Sequence, residues 1–420
     1  MAETLTGASD GMVIDGASLK TRLRRAERRN RVMAFLLVLP LLAFIVFSFV
    51  IPILDMLMRS VNDPTVSTVV PKTATLLEQW NGDDLPDEAI YASMVEELKA
   101  AFENKTLGQL GKRLNYEKSG LRGVFNKTGR RVRKLEEPPY KDALIKIDKA
   151  WGDIDTWRMI KLFSPTVTAS YYLAAVDLKY DAQGNIERQP DFKQIYVNLF
   201  WRTLWLSLLI TLLCILLGFP VSYLMANLPM RYSNLLMIMV LLPFWTSLLV
   251  RTSAWIAILQ SEGILNDILV WVGVIGDDNR IQMIYNQTGT IVAMTHILLP
   301  FMVLPLFSVM KTISPTYVRA ARSLGANPFT AFWKVYFPQT LPGIGAGVIL
   351  VFILSIGYYI TPALVGGQSG QLISNIIAYH MQSSLNWGLA AALGSILLAL
   401  VVALYLTYNK IVGIDNMKLG

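Results

Sequence analysis

Apolar runs long enough to cross a bilayer, separated by polar breaks, cover much of this chain. A hydrocarbon core needs about 20 consecutive apolar residues per helix. The pattern predicts six such runs, at about 32–57, 203–225, 235–259, 291–310, 344–360 and 389–408. Asp55 is the only charge in the first. The fifth is crowded by Pro338, Pro342 and Pro362, which membrane helices tolerate when neighbours cover the freed backbone groups. The first run exceeds the roughly 7–15 apolar residues of a cleaved leader, and no small-x-small cleavage site stands out. It reads as a span.

Residues 59–191 interrupt this pattern with soluble composition. Asp84-Leu85-Pro86-Asp87 predicts a helix start, and Ile90, Met94, Leu98 and Phe102 then recur every four residues on one face. A second helix is expected over 140–160, with Leu144, Ile147 and Trp151 on one face. Residues 171–179 read as a strand entering a turn at 181–185. The insert is therefore expected to be a mixed α/β domain.

Composition agrees with the spans. Of 420 residues, 53% are hydrophobic and 16% charged, against roughly 25% charged in an ordinary soluble chain. Mean hydropathy is +0.44. This excludes a disordered chain and argues against a simple soluble enzyme. One cysteine, Cys214, and two histidines, His296 and His380, leave no disulfide framework and no His- or Cys-rich metal site.

The net charge of +8 is informative through its distribution. The insert carries 20 basic and 20 acidic residues, so the whole excess belongs to the membrane part. Basic residues in short loops mark the cytoplasmic side. They lie in the N-terminal tail (Lys20 to Arg31), at Arg231, at Lys311, Arg319, Arg322 and Lys334, and at Lys410 and Lys418. The alternate loops are acidic or uncharged. Both termini are expected in the cytoplasm and the insert outside, which makes nucleic acid an improbable partner.

The most informative stretch is the loop between the fourth and fifth runs. Ser314-Pro315 is an N-cap with proline in the first helical position, and Gly325 suits a left-handed helix end. Asn327-Pro328 opens a second helix by the same device, expected to break near Pro338. Ala320 and Ala321 give the first helix a smooth surface flanked by Arg319 and Arg322. A partner's backbone fits such a surface; equally, an amphipathic helix lying on lipid headgroups satisfies the same residues.

This loop resembles the EAA motif of ABC-importer permeases, E-A-A-x3-G-x9-I-x-L-P. Here the pattern is Arg319-Ala320-Ala321-x3-Gly325-x9-Val335-x-Phe337-Pro338. Every interval matches; Arg319 replaces the usual glutamate. The membrane part further resembles the spermidine/putrescine-type permease subunits, at Thr203-Leu204-Trp205-Leu206, at Leu242-Pro243-Phe244-Trp245-Thr246-Ser247, at Val250-Arg251-Thr252-Ser253-Ala254-Trp255, and at 358–367. The long insert departs from that family.

The resemblance implies an all-α polytopic fold of the type I importer, with six transmembrane helices and a periplasmic insert between the first two. The implied organisation is a basic cytoplasmic tail (1–31), a first span (32–58), the insert (59–191), a permease core (192–408, with the coupling loop at 312–338) and a cytoplasmic C-terminal tail (409–420). Arg319, Ala320, Ala321, Arg322, Gly325 and Pro338 would couple to the ATPase. The implied partners are a second, similar but distinct permease subunit, two cytoplasmic ATPases, a periplasmic solute-binding protein and the bilayer. The nucleotide motif G-x-x-x-x-G-K-[ST] is absent, so the chain is no enzyme, and ATP and magnesium belong to the partner ATPase.

The solute is expected to be a polyamine, with an opine, an aminophosphonate or ferric ion as alternatives. Candidate pathway residues are Trp245, Arg251, Trp255, Tyr358 and Tyr359. Arg251 falls inside the third run, where a charge is costly and commonly functional; an ion pair with Asp55 is the structural alternative. The four aromatics suit a cation path or, individually, an interfacial belt. His296 reads as a helix-packing residue. A secondary transporter would typically show an inverted repeat and intramembrane carboxylates, and a membrane-anchored receptor needs fewer spans; neither explains the loop.

Overall fold

Proline shapes the membrane helices twice in the same way. A computed structural model describes residues 16–412. In it the first helix runs Gly16–Ile45, widens to a single π turn over Val46–Val50, and continues as Ile51–Met58. In the turn the Ile51 N–H reaches back to the Val46 carbonyl. Pro52, just beyond, lacks an N–H and would clash with the preceding turn of a regular helix. The wider turn absorbs that conflict. Pro338 is handled alike: a π turn over Phe332–Tyr336 precedes it, and the Phe337 N–H bonds to the Phe332 carbonyl. The break expected near Pro338 is therefore not there, and helix continues over Pro328–Gly357.

The chain divides into two units, Met1–Met58 and Arg59–Gly420. In the first, the apolar window of the helix holds no buried residue, as a span needs when lipid is its solvent. In the second, residues 59–195 form a helical domain. Its core centres on Trp151 and Trp157, both fully buried. The Trp151 indole N–H donates to Thr128 Oγ1 at 2.8 Å. Its carbonyl accepts from the Tyr91 hydroxyl at 2.7 Å and the Trp157 indole at 3.0 Å. Buried polar groups cost least when paired in this way.

The helix expected after Asp84 runs Glu88–Glu103 and buries Ile90, Met94 and Leu98. The helix expected over 140–160 is three pieces: Tyr140–Ile147, a 3-10 turn at Lys149–Gly152, and Ile154–Leu162. Asp148 and Asp153 cause the interruptions, because their carboxylates accept the Ala150 and Asp155 N–H groups and start new helices. Most of the strand expected at 171–179 is also helix, Ser170–Ala175. The only strands among the described residues are β1 (Leu178–Tyr180) and β2 (Ile186–Arg188), an antiparallel ribbon with Lys179 opposite Glu187. Asp181 closes its turn by accepting the Gln183 and Asn185 N–H groups.

The protein is a mostly helical membrane protein with, among the described residues, five unbroken candidate spans, or six if one bent pair counts as a span. The bent pair corresponds to the third apolar run. It runs Met230–Trp245, turns by 100°, and resumes at Leu248. Pro243 removes a helical donor just before the bend, and Ser247 caps the new helix by accepting the Val250 N–H at 3.2 Å. The second span (Tyr196–Asn227), the fourth (Gln287–Thr312) and the fifth pack closely through glycines. A Cβ on Gly218 would stand 3.1 Å from Met302, and one on Gly347 would meet the Met302 sulfur. Such close approach replaces the hydrophobic drive that lipid removes.

The insert is built onto this core. The Asp177 carboxylate accepts the N–H groups of Ile195, Tyr196 and Val197, capping the second span. The Tyr172 hydroxyl accepts from Ser60 and from Ser395 of the last span, both at 2.9 Å. At its base Arg113 pairs with Asp63 and, at 2.7 Å, with Glu117. Tyr171 donates to the same Asp63 at 2.8 Å. Burial alone would raise the Asp63 carboxyl, but Arg113 and these donors outweigh it and hold the group below its usual value.

Candidate coupling loop and solute pathway

The loop after the fourth span is set by its own caps. Ser314 Oγ accepts the Thr316 N–H, and Pro315 occupies the first turn of the helix Pro315–Ser323. The helix ends where the Ala326 N–H bonds back to the Ala321 carbonyl and Gly325 adopts φ +93°. Asn327 Oδ1 then accepts the Thr330 N–H at 2.7 Å and starts the next helix at Pro328.

The first helix of this elbow has two distinct faces. Tyr317, Ala320 and Leu324 point outward; Leu324 is 90% exposed. Pro315, Val318, Arg319 and Arg322 line a cavity of about 540 Å³, closed by the ends of the second and fourth spans and by Phe332 and Tyr336. Arg319 and Arg322 are thus separated from Ala320. The side chains of Tyr223, Asn227 and Tyr336 also belong to this cavity, and sequence reasoning does not find them. They lie outside the motif along the chain, and no local pattern marks them.

The pathway candidates divide. Arg251 lies beyond the bend of the third span, not deep in a straight one. Its Nε is buried without a hydrogen-bond partner, and no ion pair involves it among the described residues. Asp55 belongs to the separate first unit. The guanidinium acts electrostatically on His296 and Tyr358. Trp255 donates to His296 Nδ1 at 3.2 Å, with an edge contact at 5.3 Å. Arg251, Trp255, His296 and Tyr358 therefore gather in one region. Trp245 is 78% exposed and makes no ring contact or hydrogen bond with them among the described residues. Tyr359 is held through its backbone, its carbonyl accepting from Asn375 at 2.6 Å.

Tightly packed spans, a capped helical elbow at their ends and a polar insert describe a polytopic transport subunit. Residues 218–412 match the family described as binding-protein-dependent transport system inner membrane component. The chain is 35% identical over 223 residues to the spermidine/putrescine transport system permease protein PotB of Haemophilus influenzae, covering 52% of this chain and 77% of that one. Against PotB of Escherichia coli it is 35% identical over 212 residues, covering 50% and 76%. Against the inner membrane ABC transporter permease protein YdcU of Escherichia coli it is 30% identical over 240 residues, covering 53% and 74%. A crystal structure of a bacterial ABC transporter for the acidic polysaccharide alginate aligns with a TM-score of 0.44 at 19% identity, over 53% of this chain and 80% of that one. The chain belongs to the family of ABC-importer permeases. It is a multi-pass protein of the bacterial inner membrane and a permease subunit, not itself catalytic, in a family that carries no cofactor.

Proposed function

We propose that this permease forms part of the pathway for a polyamine, putrescine or spermidine, in a type I importer. The identity with two spermidine/putrescine permeases supports the solute. The capped elbow Pro315–Ser323, Gly325, Pro328 is the observation that carries the coupling role: a short rigid helix at the ends of packed spans transmits a push. In this reading the outward face around Ala320 and Ala321 meets an ATPase, and Gly325 and Pro338 hold the elbow in shape. Arg319 and Arg322 brace the helix from its inner side. ATP and magnesium are bound by two such ATPases. A second, similar permease completes the pathway, and a periplasmic binding protein delivers solute.

The charge distribution supports cytoplasmic tails at 1–31 and 409–420 and an external insert at 59–191. Residues 1–15 and 413–420 of those tails lie outside the described residues. The first span is 32–58 and the core 192–408 in this scheme. Arg251, Trp255 and Tyr358 face the solute route, with Trp245 and Tyr359 at its margins.

Labelled uptake in cells lacking the gene, with and without a plasmid copy, tests the reading. Putrescine, spermidine, an opine, an aminophosphonate and ferric ion are run in parallel. Restoration of polyamine uptake alone supports the proposal, and restoration of another solute overturns the polyamine assignment.

A further inference from the structure

We propose that the cavity beneath the coupling loop is a binding site for the phosphate headgroup of an anionic phospholipid. Three cations line it: Lys311 at the end of the fourth span, and Arg319 and Arg322 on the elbow helix. No carboxylate lines it, and none of the three makes an ion pair among the described residues. Like charges around one space repel, and an anion between them relieves that cost. Tyr336, 7% exposed, also lines the cavity, and the Asn227 amide beside it donates to the Tyr223 carbonyl at 2.8 Å.

Position selects a lipid over a protein carboxylate. The cavity is bounded by the ends of the second, fourth and fifth spans, so it opens at a membrane–water interface. Its wall includes Met310, Ile313 and Val318, an apolar surface suited to the glycerol and first methylenes. Basic pockets between the ends of membrane helices recognise anionic headgroups in this way. Arg319 and Arg322, both exposed, lie at i, i+3 spacing on the side of the helix that borders the cavity, while Tyr317, Ala320 and Leu324 occupy another side. The inference rests on the placement of the span ends and not on the coupling role or the solute.

The test is native mass spectrometry of the full-length protein, equilibrated in detergent with phosphatidylglycerol or phosphatidylcholine. Wild type is expected to retain phosphatidylglycerol well above phosphatidylcholine. Arg322→Gln is expected to lower that retention roughly five-fold. Arg231→Gln, a basic residue outside the cavity, leaves retention unchanged, and circular dichroism confirms that each variant is folded. Equal retention of the two lipids, or no effect of both Arg319→Gln and Arg322→Gln, overturns the proposal. Displacement of the lipid by millimolar inorganic phosphate also overturns it, because the site would then take a free anion. Undiminished lipid retention in variants that lose ATPase association assigns the cavity to the protein partner instead.

Discussion

Tyr171 of the insert packs its ring against Gly388 in the first turn of the last span. A Cβ on Gly388 would collide with the ring edge. The two residues are locked by bulk, and the ring is also fixed by its hydroxyl bond to Asp63. Gly388→Ala therefore forces either the ring or the backbone to move. The expected cost is about 1–3 kcal/mol of overpacking, read as a lower unfolding temperature in detergent. Tyr171→Leu in the same chain recovers part of it by vacating the space.

The Asp63–Arg113 pair at the base of the insert gives a sharper prediction. Both side chains are buried, and a buried charge left without its partner is costly. Asp63→Asn is expected to destabilise by about 3–5 kcal/mol. The pH dependence follows from the lowered carboxyl. Its stabilisation is present above the ordinary Asp value of about 4 and is lost as pH falls through the lower folded value. Denaturant unfolding of wild type and Asp63→Asn between neutral and acid pH checks both points; equal stability at neutral pH would refute the pairing.

His380 lies between spans, near the start of the second. Its Nδ1 meets Ser384 Oγ at 2.8 Å, and its Nε2 meets the Tyr196 hydroxyl at 3.1 Å. Burial lowers the imidazole to about 4, so it is neutral in the folded protein. The unfolded chain takes up the proton first, near pH 6.5. The contribution of this residue is thus complete above that value and declines as pH falls toward 4. The melting temperature of wild type should fall more steeply between pH 6.5 and 5 than that of His380→Gln. Parallel curves would sink the assignment.

Gly325 holds a positive φ in open space, with nothing within 4 Å of where a Cβ would stand. Strain from a side chain there comes from the backbone alone, at roughly 1–2 kcal/mol. Gly325→Val is expected to abolish solute uptake while membrane expression remains. Gly325→Asn, which enters the left-handed region more readily, should retain part of the uptake. Equal uptake by the two variants would argue that the elbow angle is unimportant.

Much of the candidate site is legible along the chain. Ser314-Pro315, Gly325 and Asn327-Pro328 are local signals, because caps and helix ends depend on donors within four residues. The insert is less legible. Asp148 and Asp153 look like polar positions on one helix, yet each cuts it by offering its carboxylate to the backbone. Arg251 is visible as an intramembrane charge, but its setting beyond a 100° bend is not. Pro243 and Ser247 signal the interruption only once the neighbouring helices are in place.

By itself the sequence determined the apolar runs, the basic loops and the capped elbow, all of which rest on apolar length, charge count and short-range hydrogen bonding. Tertiary structure alone decided that two prolines are absorbed by π turns, that Tyr171 seats against Gly388, and that Arg319 faces a cavity with Tyr336 while Ala320 faces outward. The physical reason is separation. Periodicity and capping act over a turn or two, whereas close packing and a shared cavity depend on residues from distant segments whose approach no local preference encodes.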